Sequence, residues 1–272
     1  MEFGLRLKDV RPVVRNLRRQ RDGQIRRQRE IGQIEVRGNP MVRALARKNR
    51  QLVSGRSALL GQRRQQRLVQ RELGLETVGL KPGSCLEVDD SMRVKGVTGN
   101  WLYAAGDVNH RALLTHMGKY QARVCGDVIA ARAEGKSEAS EPAAWTKYSA
   151  TADTWAVPRV VFSDPEVAAV GPTEAAAKAR RINVRAVDYD IGNAVGAALY
   201  ADGYKGHARM VIDQTRGVVV GMTLVGPLVG ELIHAATIAI VGAVPLARLW
   251  HAVPAYPTIS EIWLRLLEAL GL

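Results

Sequence analysis

Residues 101–123 of this 272-residue chain combine residue types that suit ligand binding, in the order WLYAAGDVNHRALLTHMGKYQAR. A strand ending at Gly106 would let a ligand approach the backbone closely, because glycine has no side chain. Asp107 would offer a carboxylate to a sugar hydroxyl, and the following helix would present free N–H groups to a phosphate. Taken alone, a Gly-Asp pair at a strand end favours an ordinary turn over a ligand site.

The surrounding pattern predicts the elements that would position these residues. Residues 73–95 contain short runs that alternate apolar and polar positions, as small half-buried strands do. We expect a buried strand over 101–105 and a helix packed on one face over 113–133. Further along, we predict strands over 159–162, 183–188, 206–212 and 218–225, with helices over 173–180 (capped by Thr173), 228–241 and from 260 onward.

These elements divide the chain into unequal parts. We assign residues 1–72 to a basic Arg/Gln-rich segment, 73–133 to a first domain part, 134–157 to a linker and 158–272 to a second domain. The first part reads as α/β. In the second, hairpin-linked strands with flanking helices predict an α+β domain around an antiparallel sheet.

The positive charge of the chain is confined to one end. The net charge is +13, but residues 1–71 hold 20 Lys and Arg against 5 Asp and Glu, whereas residues 72–272 hold 19 against 21. The basic end has almost no aromatic residues for base stacking, so nucleic-acid binding through it is a minor alternative.

Several other classes of protein are disfavoured. Cys85 and Cys125 form no CxxC or CxxxxC pair, so we expect two buried thiols and neither a redox dithiol nor a metal site. The apolar residues 217–250 contain Glu231, His234 and Arg248, which argues against a membrane span. No signal peptide is evident, and we expect a cytoplasmic protein.

Residues 101–123 resemble the second FAD contact of the pyridine nucleotide-disulfide oxidoreductase family. In that family a strand ending in Ala-x-Gly-Asp is followed by Leu-x-His at a helix start, and Ala105-Gly106-Asp107 and Leu114-Thr115-His116 are similar. The resemblance implies the C-terminal part of an FAD-binding domain, in which Asp107 binds the ribityl or phosphate region of FAD. It also implies that the backbone around Leu114, Thr115 and His116 lies near the isoalloxazine ring.

The remainder of the chain is similar to the dimerisation domain of the same family. The matching stretches are RVVFSDPEVAAVGPTE (159–174), GYKGHARMVID (203–213), GVVVGMTLVGP (217–227) and ELI (231–233). Each stretch alone is weak, but their order and spacing resemble that domain. The resemblance implies a homodimer.

The last segment, HAVPAYPTISE at 251–261, bears on the chemistry. Family members that act on disulfides carry a His before Pro-Thr and a Glu five positions after it, a pair suited to proton transfer. Here Glu261 is present, but Tyr256 stands in the His position. A tyrosine, with a pKa of about 10, is a poor base at neutral pH. Tyr256 and Glu261 are the candidate catalytic residues; Tyr256 could instead be an interface aromatic, and His251 is an alternative base.

The family implies FAD and NAD(P)H as cofactors, yet two expected features are missing from these 272 residues. There is no Gly-x-Gly-x-x-Gly turn for either dinucleotide and no CxxxxC. We therefore expect a truncated FAD-dependent NAD(P)H oxidoreductase with an unknown small-molecule substrate. The alternative is a homodimerising module without catalysis.

Overall fold

The computed structural model describes residues 73–136 and 142–272. The basic segment predicted over 1–72, and the part of the predicted linker from 137 to 141, lie outside the described residues. All other predicted elements fall within them.

The first part of the described chain is a short helix-and-hairpin unit. A 3-10 helix covers Leu75–Val78 and helix α1 covers Thr115–Ala133. Between them, antiparallel bridges join Val88 to Val94 and Arg93 to Tyr103. The apolar face of α1 closes over these segments, and the shared core contains Leu75, Leu86, Val88, Met92, Val94, Val97, Ala104, Val124, Val128 and Ala150.

Two sequence predictions are wrong in this unit. Residues 101–105 do not form a continuous strand, since only Tyr103 makes a bridge and Trp101 is 57% exposed. Residues 75–78 form a 3-10 helix where a half-buried strand was expected. Gly74 and Gly79 flank this 3-10 helix and both adopt left-handed backbone conformations. These conformations reverse the chain at each end, so the segment does not extend as a strand.

A five-stranded antiparallel sheet forms the second part. Its strands are β1 (Arg159–Val161), β2 (Glu166–Val170), β3 (Val184–Asp190), β4 (His207–Asp213) and β5 (Val218–Gly226). Their order across the sheet is β1-β2-β5-β4-β3. The β4–β5 hairpin sets the register at the centre, where Met210 lies opposite Met222. This sheet confirms the predicted antiparallel architecture.

Strand β2 was not predicted from the sequence. Its residues, Glu-Val-Ala-Ala-Val, show no alternation of polar and apolar side chains. Ala168 and Val170 are buried, whereas Val167 and Ala169 on the other face are only partly buried. Alanine and valine occupy both faces, so the sequence carries no polar–apolar signal of the strand.

Helices cover both faces of the sheet. The remaining helices are α2 (Ala152–Trp155), α3 (Glu174–Ala179), α4 (Val229–Val241), α5 (Leu246–Leu249) and α6 (Ile262–Leu270). Side chains of α4 and α6 share one core with Met210, Ile212 and Met222. Ala177 of α3 packs on the opposite face against Val184, Val211, Val218 and Val220.

The two parts pack against each other directly. Met117 of α1 shares a small apolar cluster with Ala112 and Val157. The amide of Ala150 donates a hydrogen bond to the Asp90 carbonyl at 2.7 Å. The segment predicted as a linker therefore contains a helix, α2, and buried residues such as Ala150 and Ala156.

The expected burial of both thiols is wrong for Cys85, which is exposed, while Cys125 is partly buried. Neither forms a disulfide. Across the described ranges, no helix combines the length and apolar character needed to cross a membrane.

We predict that Gly196→Ala destabilises the fold. A methyl group there would lie 2.1 Å from the carbonyl carbon of Thr258 and 2.5 Å from the amide nitrogen of Ile259. Overpacking of this kind costs about 1–3 kcal/mol. Chemical denaturation followed by circular dichroism should show that the free energy of unfolding falls by about 1–3 kcal/mol.

The control is Gly126→Ala in α1, where nothing lies within 4 Å of the added methyl group. Alanine is favoured over glycine in a helix by up to about 1 kcal/mol, so this variant should be neutral or more stable. Equal stability of the two variants would contradict the close approach at Gly196.

Candidate functional site

Gly106 forms a turn that other residues would strain. Its backbone has φ 81° and ψ −153°, a region that only glycine occupies readily. A methyl group there would meet no atom within 4 Å, so the requirement for glycine comes from the backbone conformation and not from crowding. The turn leads into a short 3-10 helix, Asp107–Asn109, which places Asp107 on the surface.

Gln121 of α1 holds this turn in place. Its Oε1 accepts a hydrogen bond from the Gly106 amide at 2.6 Å and another from Asn109 Nδ2 at 2.9 Å. Gln121 is completely buried. Asn109 also donates to the carbonyl of Ala104 at 3.0 Å. The side-chain amides of Gln121 and Asn109 therefore hold the backbone on both sides of the turn.

The same glutamine extends the network to α2. Gln121 Nε2 donates to Asp153 Oδ2 at 2.9 Å, and Arg111 Nε lies 3.1 Å from that same oxygen. The Asp153 side chain is 1% exposed, and within the described ranges its second oxygen, Oδ1, accepts no hydrogen bond. Burial raises the pKa of Asp153 above its ordinary value, and the nearby Arg111 opposes that rise.

The start of α1 lies against the Gly106 turn. A methyl group added at Gly118 would be only 3.3 Å from the Gly106 Cα, so the helix and the turn are in close contact. Leu114 is the N-cap, and no side chain caps this end. The first amides of α1 are therefore available to an acceptor, and the helix dipole favours an anion there.

His116 tethers the helix start to the second part of the chain. Its Nε2 donates to the carbonyl oxygen of Pro158 at 2.9 Å, just before β1. Thr115 and His116 are exposed, while Leu114 is partly buried beside Met117. The structure thus brings together the two segments predicted to contact a cofactor, Gly106–Asp107 and 114–116.

Sequence reasoning missed the residues that hold this site, namely Asn109, Arg111, Gln121 and Asp153. One signal was present. The buried positions of α1 are Met117, Gln121, Val124 and Val128, at helical spacing. A glutamine within an otherwise apolar stripe indicates a buried polar group, and such groups are almost always hydrogen-bonded.

The candidate catalytic residues, Tyr256 and Glu261, make no hydrogen bond with each other in the part of the chain that the structure describes. Tyr256 is 74% exposed, and its hydroxyl makes no hydrogen bond with the described residues. Glu261 is 6% exposed and its Oε1 accepts from Arg265 Nη2 at 2.5 Å. Its other oxygen, Oε2, is buried without a partner among the described residues. His251, the alternative base, is exposed.

Residues 157–266 match the family model described as pyridine nucleotide-disulphide oxidoreductase, dimerisation domain. Dihydrolipoyl dehydrogenase from Geobacillus stearothermophilus is 30% identical over 203 residues, which are 74% of this chain and 39% of that protein. The Halobacterium salinarum enzyme of the same name is 32% identical over 202 residues, covering 73% and 38%. The chain thus spans about two fifths of the length of these relatives.

Solved structures agree on the fold. LpdA from Mycobacterium tuberculosis superposes with a TM-score of 0.58 at 24% identity, covering 74% of this chain and 40% of that one. The HOCl-induced flavoprotein disulfide reductase RclA from Escherichia coli gives a TM-score of 0.57 at 20% identity, covering 73% and 42%.

The matched residues of this chain belong to the pyridine nucleotide-disulfide oxidoreductase family, with its dimerisation domain over residues 157–266.

We predict that Gln121→Leu destabilises the first part of the chain. The substitution removes the acceptor for the Gly106 amide and for Asn109, and the donor to Asp153. Each buried group left without a partner costs about 1–3 kcal/mol, so we expect a loss of about 2–4 kcal/mol in the free energy of unfolding. Urea denaturation measures this loss.

Gln214→Leu is the matched control, because that exposed side chain bonds only to Asn183 Oδ1. It should change stability by no more than about 0.5 kcal/mol. A Gln121→Leu protein as stable as this control would show that the network does not hold the turn.

Proposed function

We propose that this chain supplies the second FAD contact and the dimerisation domain of an FAD-dependent NAD(P)H oxidoreductase. The observation that carries the proposal is the Gly106–Asp107 turn, held by Gln121 against the uncapped start of α1. The glycine turns and the CxxxxC pair are absent from these 272 residues. Hydride transfer from NAD(P)H would therefore require a further polypeptide segment that carries them.

The residues around Gly106 suit an extended, phosphate-bearing ligand. Glycine leaves the turn open, since nothing occupies the space where a side chain would stand. Asp107 is exposed there and its carboxylate would accept hydrogen bonds from ribityl hydroxyls. The first amides of α1, at Thr115 and His116, would face the negatively charged or electron-accepting part of the ligand.

FAD, when bound, would supply a centre that accepts a hydride and passes electrons onward. The chain's own task would be to orient it. Gly106, Asp107, Leu114, Thr115 and His116 would form one wall of that site. The His116 bond to Pro158 would fix this wall relative to the dimerisation domain.

A homodimer is part of the proposal. The dimerisation domain exposes large apolar side chains: Val161, Phe162, Ile238, Val253 and Tyr256 are between 58% and 85% exposed. Large exposed apolar side chains of this kind suit a surface that a second subunit would cover. Strand β1, which carries Val161, is an edge of the sheet.

Tyr256 and Glu261 would act in substrate handling, Tyr256 being exposed and Glu261 buried. Arg265 Nη2 occupies one oxygen of Glu261 at 2.5 Å. Such an arrangement does not provide the base expected for disulfide chemistry, which supports a different small-molecule acceptor.

The competing function is a homodimerising module without catalysis, favoured because Glu261 bonds to Arg265 and, among the described residues, makes no hydrogen bond with Tyr256. The predicted cytoplasmic location and the predicted boundaries at 72, 133 and 157 remain part of the leading proposal. Cell fractionation and limited proteolysis test them.

We expect the full chain to bind added FAD and Asp107→Ala to weaken that binding at least tenfold. Losing a hydrogen bond to a charged group costs about 1.5–3 kcal/mol, and about 1.4 kcal/mol corresponds to tenfold. Titration of FAD followed by quenching of flavin fluorescence gives both affinities. Asp202→Ala, at another exposed aspartate, should bind FAD like the unaltered chain. A colourless dimer that does not bind added FAD would support the homodimerising module without catalysis instead.

We expect Phe162→Glu to dissociate the homodimer. Phe162 is 83% exposed in the monomer, and a carboxylate at a buried interface position would lose its hydration. Light scattering across a dilution series should show a dimer dissociation constant raised at least tenfold. The control is Trp101→Glu, at an exposed aromatic outside the dimerisation domain, which should leave the dimer unchanged. A monomeric unaltered chain at all concentrations would refute the dimer.

A further inference from the structure

A second concave surface lies beside the Gly106 turn, and Asn109 and Arg111 from the segment after Gly106 line it. It is a cleft of about 670 Å³, within the size range of small-molecule sites. Its walls come from the segment 87–95, from the region around α2 and β1, and from the start of α3. None of the predicted flavin contacts, Gly106, Asp107 or residues 114–116, lines it.

Basic side chains dominate the charge of this cleft. Arg111 and Asp153, both in its lining, are paired with each other at 3.1 Å. Lys95, Arg159 and Arg180 also line it, and none of the three forms an ion pair within the described part of the chain. Glu87 is the remaining acidic residue of the lining.

This excess of cations is local. Residues 72–272 hold 19 basic and 21 acidic side chains, so the body of the protein is slightly acidic by count. Three unpaired cations at one concave surface are therefore not a consequence of a generally basic protein. Such surfaces raise the local concentration of anions.

Trp155 adds an aromatic surface to the same cleft. Its side chain is 41% exposed, and the Arg180 guanidinium carbon lies 5.5 Å from the centre of the indole ring. The cation–π contact holds ring and guanidinium together. An exposed indole in a basic cleft offers a stacking surface to a planar ring beside groups that bind phosphate.

We propose that this cleft binds a small anionic ligand with a planar ring, of the nucleotide class. The ring stacks on Trp155 and Arg180, and the phosphates contact Arg159 and Lys95. This site is separate from the flavin wall of the proposed function and does not depend on it.

Isothermal titration calorimetry on the full chain at low salt tests the proposal, with ADP as the probe. Adenosine and inorganic pyrophosphate are titrated separately, because each carries one half of the recognised chemistry. ADP should bind at least tenfold more tightly than either. If pyrophosphate bound as tightly as ADP, the stacking role of Trp155 would be overturned. If ADP did not bind at all, the site itself would be overturned.

Variants assign the binding to this cleft. Trp155→Leu and Arg159→Gln should each weaken ADP binding about tenfold. Their matched controls, Trp101→Leu and Arg248→Gln, change exposed residues that do not line the cleft and should leave it unchanged. Equal affinity of the cleft variants and their controls would overturn the proposal.

Measuring both ADP and FAD binding in two variants distinguishes this proposal from the function proposed above. Asp107→Ala, which should weaken FAD binding, should bind ADP with unaltered affinity. Trp155→Leu should bind FAD like the unaltered chain. Loss of ADP binding in Asp107→Ala would place the probe at the flavin wall and overturn a separate site.

Discussion

The carboxamide of Gln121 is the interaction on which the arrangement of the candidate site depends. A glutamine side chain carries both an acceptor oxygen and a donor nitrogen, and here the two point to different parts of the chain. The oxygen accepts from the Gly106 amide and from Asn109, and the nitrogen donates to Asp153. An apolar side chain of the same size would fill the space but leave the Gly106 amide without its acceptor, and Asn109 and Asp153 would each lose one of their partners.

Asp153 links the Gln121 network to the start of the dimerisation domain. It sits in α2, shortly before β1, and it also meets Arg111 from the segment after the Gly106 turn. The His116 bond to Pro158 is a second link between the same two regions. The loop residues of the candidate site are therefore held by the Asp153 contacts, by the His116–Pro158 hydrogen bond and by the apolar contact between Met117 and Val157.

The sheet gives these connections a rigid base. Two glycines let the loop before α3 lie directly on it, since a side chain at Gly171 would come within 2.0 Å of the Val220 carbonyl oxygen and one at Gly221 within 2.2 Å of the Pro172 carbonyl oxygen. Strands β4 and β5 are consequently buried on both faces over most of their length. Close packing of this kind resists deformation, so the sheet is a firm support for the loops packed against it.

The sequence by itself determined what depends on local pattern. The α1, α3 and α4 helices and the β4–β5 hairpin follow from hydrophobic periodicity and turn residues, and Thr173 caps α3 as expected, accepting from the Ala176 amide at 3.2 Å. Gly106 was also singled out from the sequence, for its missing side chain, and the structure adds that its backbone conformation requires glycine.

Only the tertiary structure decided the features that depend on distant partners. Strand β2 is identified by its pairing with β1 and β5, because its alanines and valines give no alternation of polar and apolar residues. Gln121, Asn109 and Asp153 form one network although they are up to 44 positions apart, from 109 to 153. Glu261 is buried and bonded to Arg265, whereas Tyr256, close to it in sequence, is exposed. Hydrogen-bond partners are set by spatial neighbours, and a sequence pattern reports only the chain's own periodicity.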